Sequence, residues 1–129
     1  MRKVVLGLLL TIMMLGGGMA QASLVGKQLQ VTATAYNSVR AQTNSNPTLA
    51  AWGDRLKPGM KVIAVSRDLL RLGIGHGTRI KISGLPGEYV VMDKMNKRWS
   101  RKIDIYMGKD IRAAKKWGRR KVTITVLGA

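Results

Sequence analysis

Seven side chains of this 129-residue chain can do acid–base chemistry near neutral pH. Six are carboxylates: Asp54, Asp68, Glu88, Asp93, Asp104 and Asp110. The seventh is the imidazole of His76, and the chain has no cysteine. Without cysteine there is no thiol nucleophile, no disulfide framework and no thiolate metal site. One histidine makes a zinc site improbable, because zinc takes several nitrogen or sulfur ligands. A Ser-His-Asp triad would need His76 as its base. His76 sits in the glycine-flanked stretch GIGHGT with no nucleophile elbow beside it, so it reads as a turn histidine. That glycine-rich stretch precedes a strand rather than opening a helix, so it fails the context test for a phosphate loop. No metal and no cofactor is expected.

Carboxylate chemistry remains. Asp110 opens a helical stretch, where an acidic residue suits the helix dipole. Asp54 and Glu88 lie beside Gly53 and Gly87 and read as turn charges. Asp68 follows a strand and is placed to cap a short turn. Asp93 and Asp104 differ, because each lies in a β-rich run where Asp is disfavoured. Asp104 stands between Ile103 and Ile105, which makes its strand half-buried. Two readings are open for this pair. One is a functional carboxylate pair; the other is ion pairing with Lys94, Lys97, Arg98, Arg101 or Lys102.

The elements that must position these groups are short. Leu29–Tyr36 alternates strictly, with Thr32, Thr34 and Tyr36 on the polar side. Further strands are expected at Lys61–Ser66, Thr78–Ile82, Tyr89–Asp93, Lys102–Tyr106 and Val122–Leu127. Residues 37–47 read as a long polar loop. One helix is expected, Lys109–Trp117, with Gly118 at its C-terminus. Six short strands and one short helix predict an all-β fold, a small closed or nearly closed barrel.

The chain carries 23 basic and 6 acidic residues, a net charge of +17. Such a balance points to an anionic partner. Residues 1–22 have the plan of a secretory signal peptide. Arg2 and Lys3 precede the apolar run Val4–Leu15, and Ala20-Gln21-Ala22 ends it as a cleavage signal. The run is too short to span a bilayer. Residues 23–129 are then expected to form one exported domain. It retains all but two of the basic residues and has no apolar span for membrane insertion. The run Arg119-Arg120-Lys121 invites a nucleic-acid reading, against which the leader argues, and basic runs usually form solvated faces.

Four stretches together resemble the 3D domain, a bacterial domain named for three aspartates. They are VTATAY (31–36), IAVSRDLL (63–70), GTRIKISGLPGEYVVMDKMNKRWSRKIDIYMG (77–108) and AAKKWGRRKVTITVL (113–127). The separation between Asp93 and Asp104 matches the family's. The resemblance implies a six-stranded double-psi β-barrel. It is similar to the catalytic core of membrane-bound lytic transglycosylase A and, more loosely, to the barrels of expansins. It further implies cleavage of the β-1,4 bond between N-acetylmuramic acid and N-acetylglucosamine. Asp104 would be the acid/base and Asp93 its supporting carboxylate. The family's first aspartate falls on Ser66; Asp68 either takes its place or the site holds two aspartates. Many members follow the second aspartate with Thr-Gly-Gly, where this chain has the bulkier, more basic Lys94-Met95-Asn96-Lys97-Arg98-Trp99.

On this reading Thr32, Thr34, Tyr36, Lys94, Asn96, Arg98 and Trp99 line the substrate groove. Trp99 and Tyr36 would offer aromatic faces to sugars, although Trp99 reads equally as a packing residue. The expected partner is a peptidoglycan glycan strand, met by a monomer, with no nucleic acid. The competing expectation is a cell-wall binding module without catalysis.

Overall fold

The computed structural model describes residues 24–38 and 48–129. The expected signal peptide and most of the expected polar loop lie outside the described residues. Six strands form the barrel: β1 (Gln28–Tyr36), β2 (Val62–Val65), β3 (Arg79–Ile82), β4 (Tyr89–Lys94), β5 (Lys102–Tyr106) and β6 (Arg120–Gly128). They close in the order β1-β5-β2-β4-β3-β6, with β6 returning to β1. Two neighbouring pairs are parallel, β1 with β5 and β2 with β4; the others are antiparallel. Exchanging β1, β2 and β3 with β4, β5 and β6 leaves this order and these directions unchanged. The chain thus runs twice through the same three-strand path, giving the double-psi barrel.

Alternation builds the interior. Val31 and Ala33, Ile63 and Val65, Ile80 and Ile82, Ile103 and Ile105, and Ile124 and Val126 all point inward and are almost wholly buried. β-branched residues suit these positions because their stiff side chains pack well on a pleated surface. Two short helices border the barrel. The first, α1 (Arg67–Arg71), is a single turn absent from the sequence expectation; it buries Leu69. The second, α2 (Ile111–Trp117), starts at Asp110, whose carboxylate accepts the Ala113 N–H at 2.9 Å. It ends at Gly118, whose φ of 67° favours glycine. Between them Trp117 packs into the core and donates its indole N–H to the Ala33 carbonyl at 3.2 Å.

A second, smaller apolar cluster lies outside the barrel wall. Ala50 and Leu56 pack there on Val62 and Tyr106, flanked by Tyr36, Met60 and Met92. The segment Thr48–Lys61 therefore forms an extra layer over the outer face of β1, β5, β2 and β4. Among the described residues the opposite wall carries no such layer: Gln28, Lys81, Ser83, Thr123 and Thr125 line a shallow depression of about 370 Å³ there.

Candidate functional site

The covered wall holds both singled-out aspartates. Asp104 on β5 stands opposite Thr34 on β1 and Ala64 on β2, and Ala64 stands opposite Asp93 on β4. Cross-strand partners share a face, so Thr34, Asp104, Ala64 and Asp93 form one row on the outer side. Since β2 separates the aspartates, their Cα atoms lie two strand spacings apart, roughly 10 Å.

Asp93 reaches this row through an irregularity. Ile63 pairs with Val91, but Ala64 pairs with Asp93, so Met92 is an extra residue in β4. Regular alternation would place Asp93 on the inner side with Tyr89 and Val91. The bulge turns it outward, while Met92 packs into the outer cluster. Nothing in the alternation of Tyr89–Asp93 announces this.

Each carboxylate is half-buried and hydrogen-bonded. Asp104 Oδ1 accepts from the Thr34 hydroxyl at 2.9 Å. Asp93 Oδ1 accepts from the Ala51 N–H at 2.8 Å and the Lys94 N–H at 3.0 Å. Its Oδ2 takes a long hydrogen bond, 3.5 Å, from the Tyr36 hydroxyl. Tyr36 leans on Tyr106 with ring centroids 5.5 Å apart.

The surroundings raise the pKa of both carboxyls. Burial pushes the Asp104 carboxyl above the usual carboxylate range, and the charge of Asp93 adds to this. The Thr34 hydrogen bond and the charge of Lys102 pull the other way without reversing it. Asp93 is likewise raised, first by burial and further by Asp54, against its backbone and Tyr36 hydrogen bonds. Burial and the two aspartates push the Tyr36 hydroxyl upward too, so it stays a donor. Among the described residues neither aspartate takes part in an ion pair; the pairs are His76–Asp54 and Arg79–Glu88. The many nearby cations thus leave both carboxylates unpaired. The Lys102 ammonium lies 3.5 Å from the centroid of the Trp99 ring, which also faces Arg98 at 4.8 Å.

The remaining expected site residues divide. Thr32 is in register with Lys102, one position along the same outer face as Thr34 and Tyr36. Asn96 shapes the loop after β4, its side-chain oxygen accepting the Arg98 N–H at 3.0 Å. Lys94 and Arg98 are exposed, and Trp99 is half-buried under its cations. Asp68 does not join the row through any hydrogen bond. Its Oδ2 accepts the Arg101 N–H at 2.9 Å, fixing a residue whose φ is +46°, just before β5. Burial raises the Asp68 pKa, but the Ser66 hydroxyl and Arg101 N–H outweigh it, and the net shift is downward. Ser66, at the family's first-aspartate position, is fully buried; its Oγ accepts the Lys102 N–H at 3.0 Å. These two residues pin the start of the strand that carries Asp104.

Sequence reasoning missed one group at the edge of the row. Asp54, expected as a turn charge, is hydrogen-bonded to Nε2 of His76. The His76 ring lies 5.0 Å from that of Trp52. The signal for Trp52 was a large aromatic residue in the turn sequence Ala51-Trp52-Gly53-Asp54. Among the described residues no three His, Cys, Asp or Glu side chains gather to hold a metal, and no helix is long and apolar enough to cross a membrane.

No protein-family model matches the sequence, and comparison with curated proteins finds no similar one. Among solved structures, the chain is similar to an apo-form expansin of Clavibacter michiganensis. The TM-score is 0.53 at 18% identity, over 78% of this chain and 50% of the expansin. The chain thus spans about half the length of that protein. This likeness shows the double-psi barrel fold.

Proposed function

We propose that this is an exported, single-domain peptidoglycan-acting enzyme of the 3D type, a lytic transglycosylase that uses Asp104 as its acid/base. One observation carries the reading: Asp104 is half-buried, hydrogen-bonded to Thr34, raised in pKa and, among the described residues, in no ion pair. A carboxyl whose pKa is raised is better suited to give a proton and take it back. The net positive charge suits a glycan whose peptide stems carry carboxylates.

In the proposed reaction the Asp104 carboxyl donates its proton to the glycosidic oxygen as the C1–O bond breaks. The N-acetylglucosamine chain leaves as an alcohol. The Asp104 carboxylate then removes the proton of the muramyl 6-hydroxyl, whose oxygen bonds to C1. The proton lent is recovered, no water is consumed, and a 1,6-anhydro ring results. Asp93, across Ala64, raises the pKa of Asp104 and places negative charge near the developing oxocarbenium. Tyr36 and the Ala51 N–H hold Asp93 in position. Thr32, Lys94, Arg98 and Trp99 would contact the strand along the groove, while Asn96 shapes the loop carrying Arg98 and Trp99.

A second reading is a glycan-binding barrel without catalysis, favoured by the serine at position 66. Mass spectrometry of purified sacculi incubated with the wild type and with Asp104→Asn separates the two. Anhydro-muropeptides from the wild type alone are expected. Reducing-end products would replace transfer with hydrolysis. No product from either, with both pelleting on sacculi, would establish the binding module.

A further inference from the structure

Of the three tryptophans, Trp117 is buried and Trp99 has cations at 3.5 and 4.8 Å from its ring centroid. Trp52 differs from both. It is 38% exposed, and it directly follows Ala51, whose N–H holds Asp93. Its Cα thus lies about 3.8 Å from that of the residue gripping the carboxylate.

Two side chains flank the indole, and one of them is itself held. The His76 ring meets it at 5.0 Å with a 45° tilt. Asp54, two residues along the same turn, holds His76 through Nε2. Lys94 places its ammonium 5.7 Å from the ring centroid, too far for tight contact. The turn itself is closed by the Ala50 N–H to Asp54 carbonyl bond at 2.8 Å and the Gly53 N–H to Ala50 carbonyl bond at 3.0 Å. Gly53, with φ at 95°, makes this turn. Leu56 and Ala50 anchor it in the outer cluster.

A large apolar ring left in water is costly to hydrate. Here it is also held in place by a histidine that is itself held by a carboxylate. Such a ring loses little freedom when a ligand covers it. We propose that Trp52 is a sugar-stacking platform: it takes the apolar face of a pyranose ring in a glycan strand lying across the carboxylate row, beyond Asp93. His76 and Asp54 are its positioning residues. This rests on the functional reading above and adds a binding position to the same groove. A sugar held on Trp52 would set the strand's register relative to the acid.

The test uses the full chain carrying Asp104→Asn, to prevent turnover, and a soluble N-acetylglucosamine–N-acetylmuramic acid oligomer. Amide and indole N–H resonances are followed by NMR during titration. The Trp52 indole resonance is expected to move and that of Trp117 to stay. Trp52→Ala is expected to weaken binding about tenfold or more, Trp52→Phe less, and His76→Ala less again. Because Trp52 is exposed, the dispersed amide spectrum of Trp52→Ala checks that the fold survives. Unchanged affinity in a folded Trp52→Ala protein overturns the platform and leaves the enzyme reading intact. A protein that neither binds the oligomer nor cleaves sacculi overturns the enzyme reading, and the platform with it.

Discussion

The two walls of the barrel are built from the same alternation and put it to different uses. Along β3 and β6 the outward Lys81 is exposed, and the half-buried Thr123 and Thr125 line an open depression. Along β1, β5, β2 and β4 the outward residues meet a second layer, the segment Thr48–Lys61. Only the second arrangement takes carboxylates partly out of water. On the covered wall Asp93 and Asp104 are both raised in pKa, with burial as the first cause. The layer reaches one of the two aspartates directly, because the Ala51 N–H holds Asp93.

The largest expected effect tests whether the covered wall is catalytic. Asp104→Asn should lower glycan cleavage by about 10²–10⁴-fold, the range for losing a general acid or base, with the barrel intact by circular dichroism. Next comes the layer itself. Leu56→Ala should cost about 2 kcal/mol in urea unfolding, the low end for a buried leucine. It should also lower turnover, because the Ala51 N–H loses its hold on Asp93. Lost stability with undiminished turnover would separate the layer from the chemistry.

A smaller effect follows from the raised carboxyls. Their folded-state pKa lies above the unfolded value, so folding favours their protonated forms. The stability they contribute is present below the unfolded pKa and lost as pH rises through the folded one. Asp104→Asn should therefore stabilise the protein at pH 7, by about 0.5–2 kcal/mol, and the gain should disappear below about pH 4. Thermal melts across that range check it. The smallest effect lies on the other wall: Thr125→Ala should change stability by no more than about 0.5 kcal/mol and leave cleavage unchanged. A loss of cleavage there would break the contrast between the walls.

The sequence carried the barrel because the barrel rests on a period-two pattern, visible in Leu29–Tyr36 and Lys102–Tyr106. Asp104 was legible for the same reason, flanked as it is by two inward isoleucines. The outward turn of Asp93 was not, since a bulge at Met92 reverses the side that alternation assigns. The role of Thr48–Lys61 was hidden for another reason. Its apolar residues, Ala50, Leu56 and Met60, follow no period and gain meaning only against Val62 and Tyr106. The pairing of His76 with Asp54 joins two loops 22 residues apart, and no local signal links them. The one-turn helix Arg67–Arg71 is too short for periodicity to reveal.

The proposed chemistry needs a protonatable Asp104, and its pKa can be measured directly. An NMR titration of the aspartate side-chain carboxyl carbons, in the wild type and in Asp93→Asn, gives its pKa. The expected value in the wild type lies above that of an ordinary aspartate, and it falls in Asp93→Asn because a like charge has been removed. An Asp104 that titrates at or below the ordinary aspartate value of about 3.9, with no response to Asp93→Asn, would contradict it.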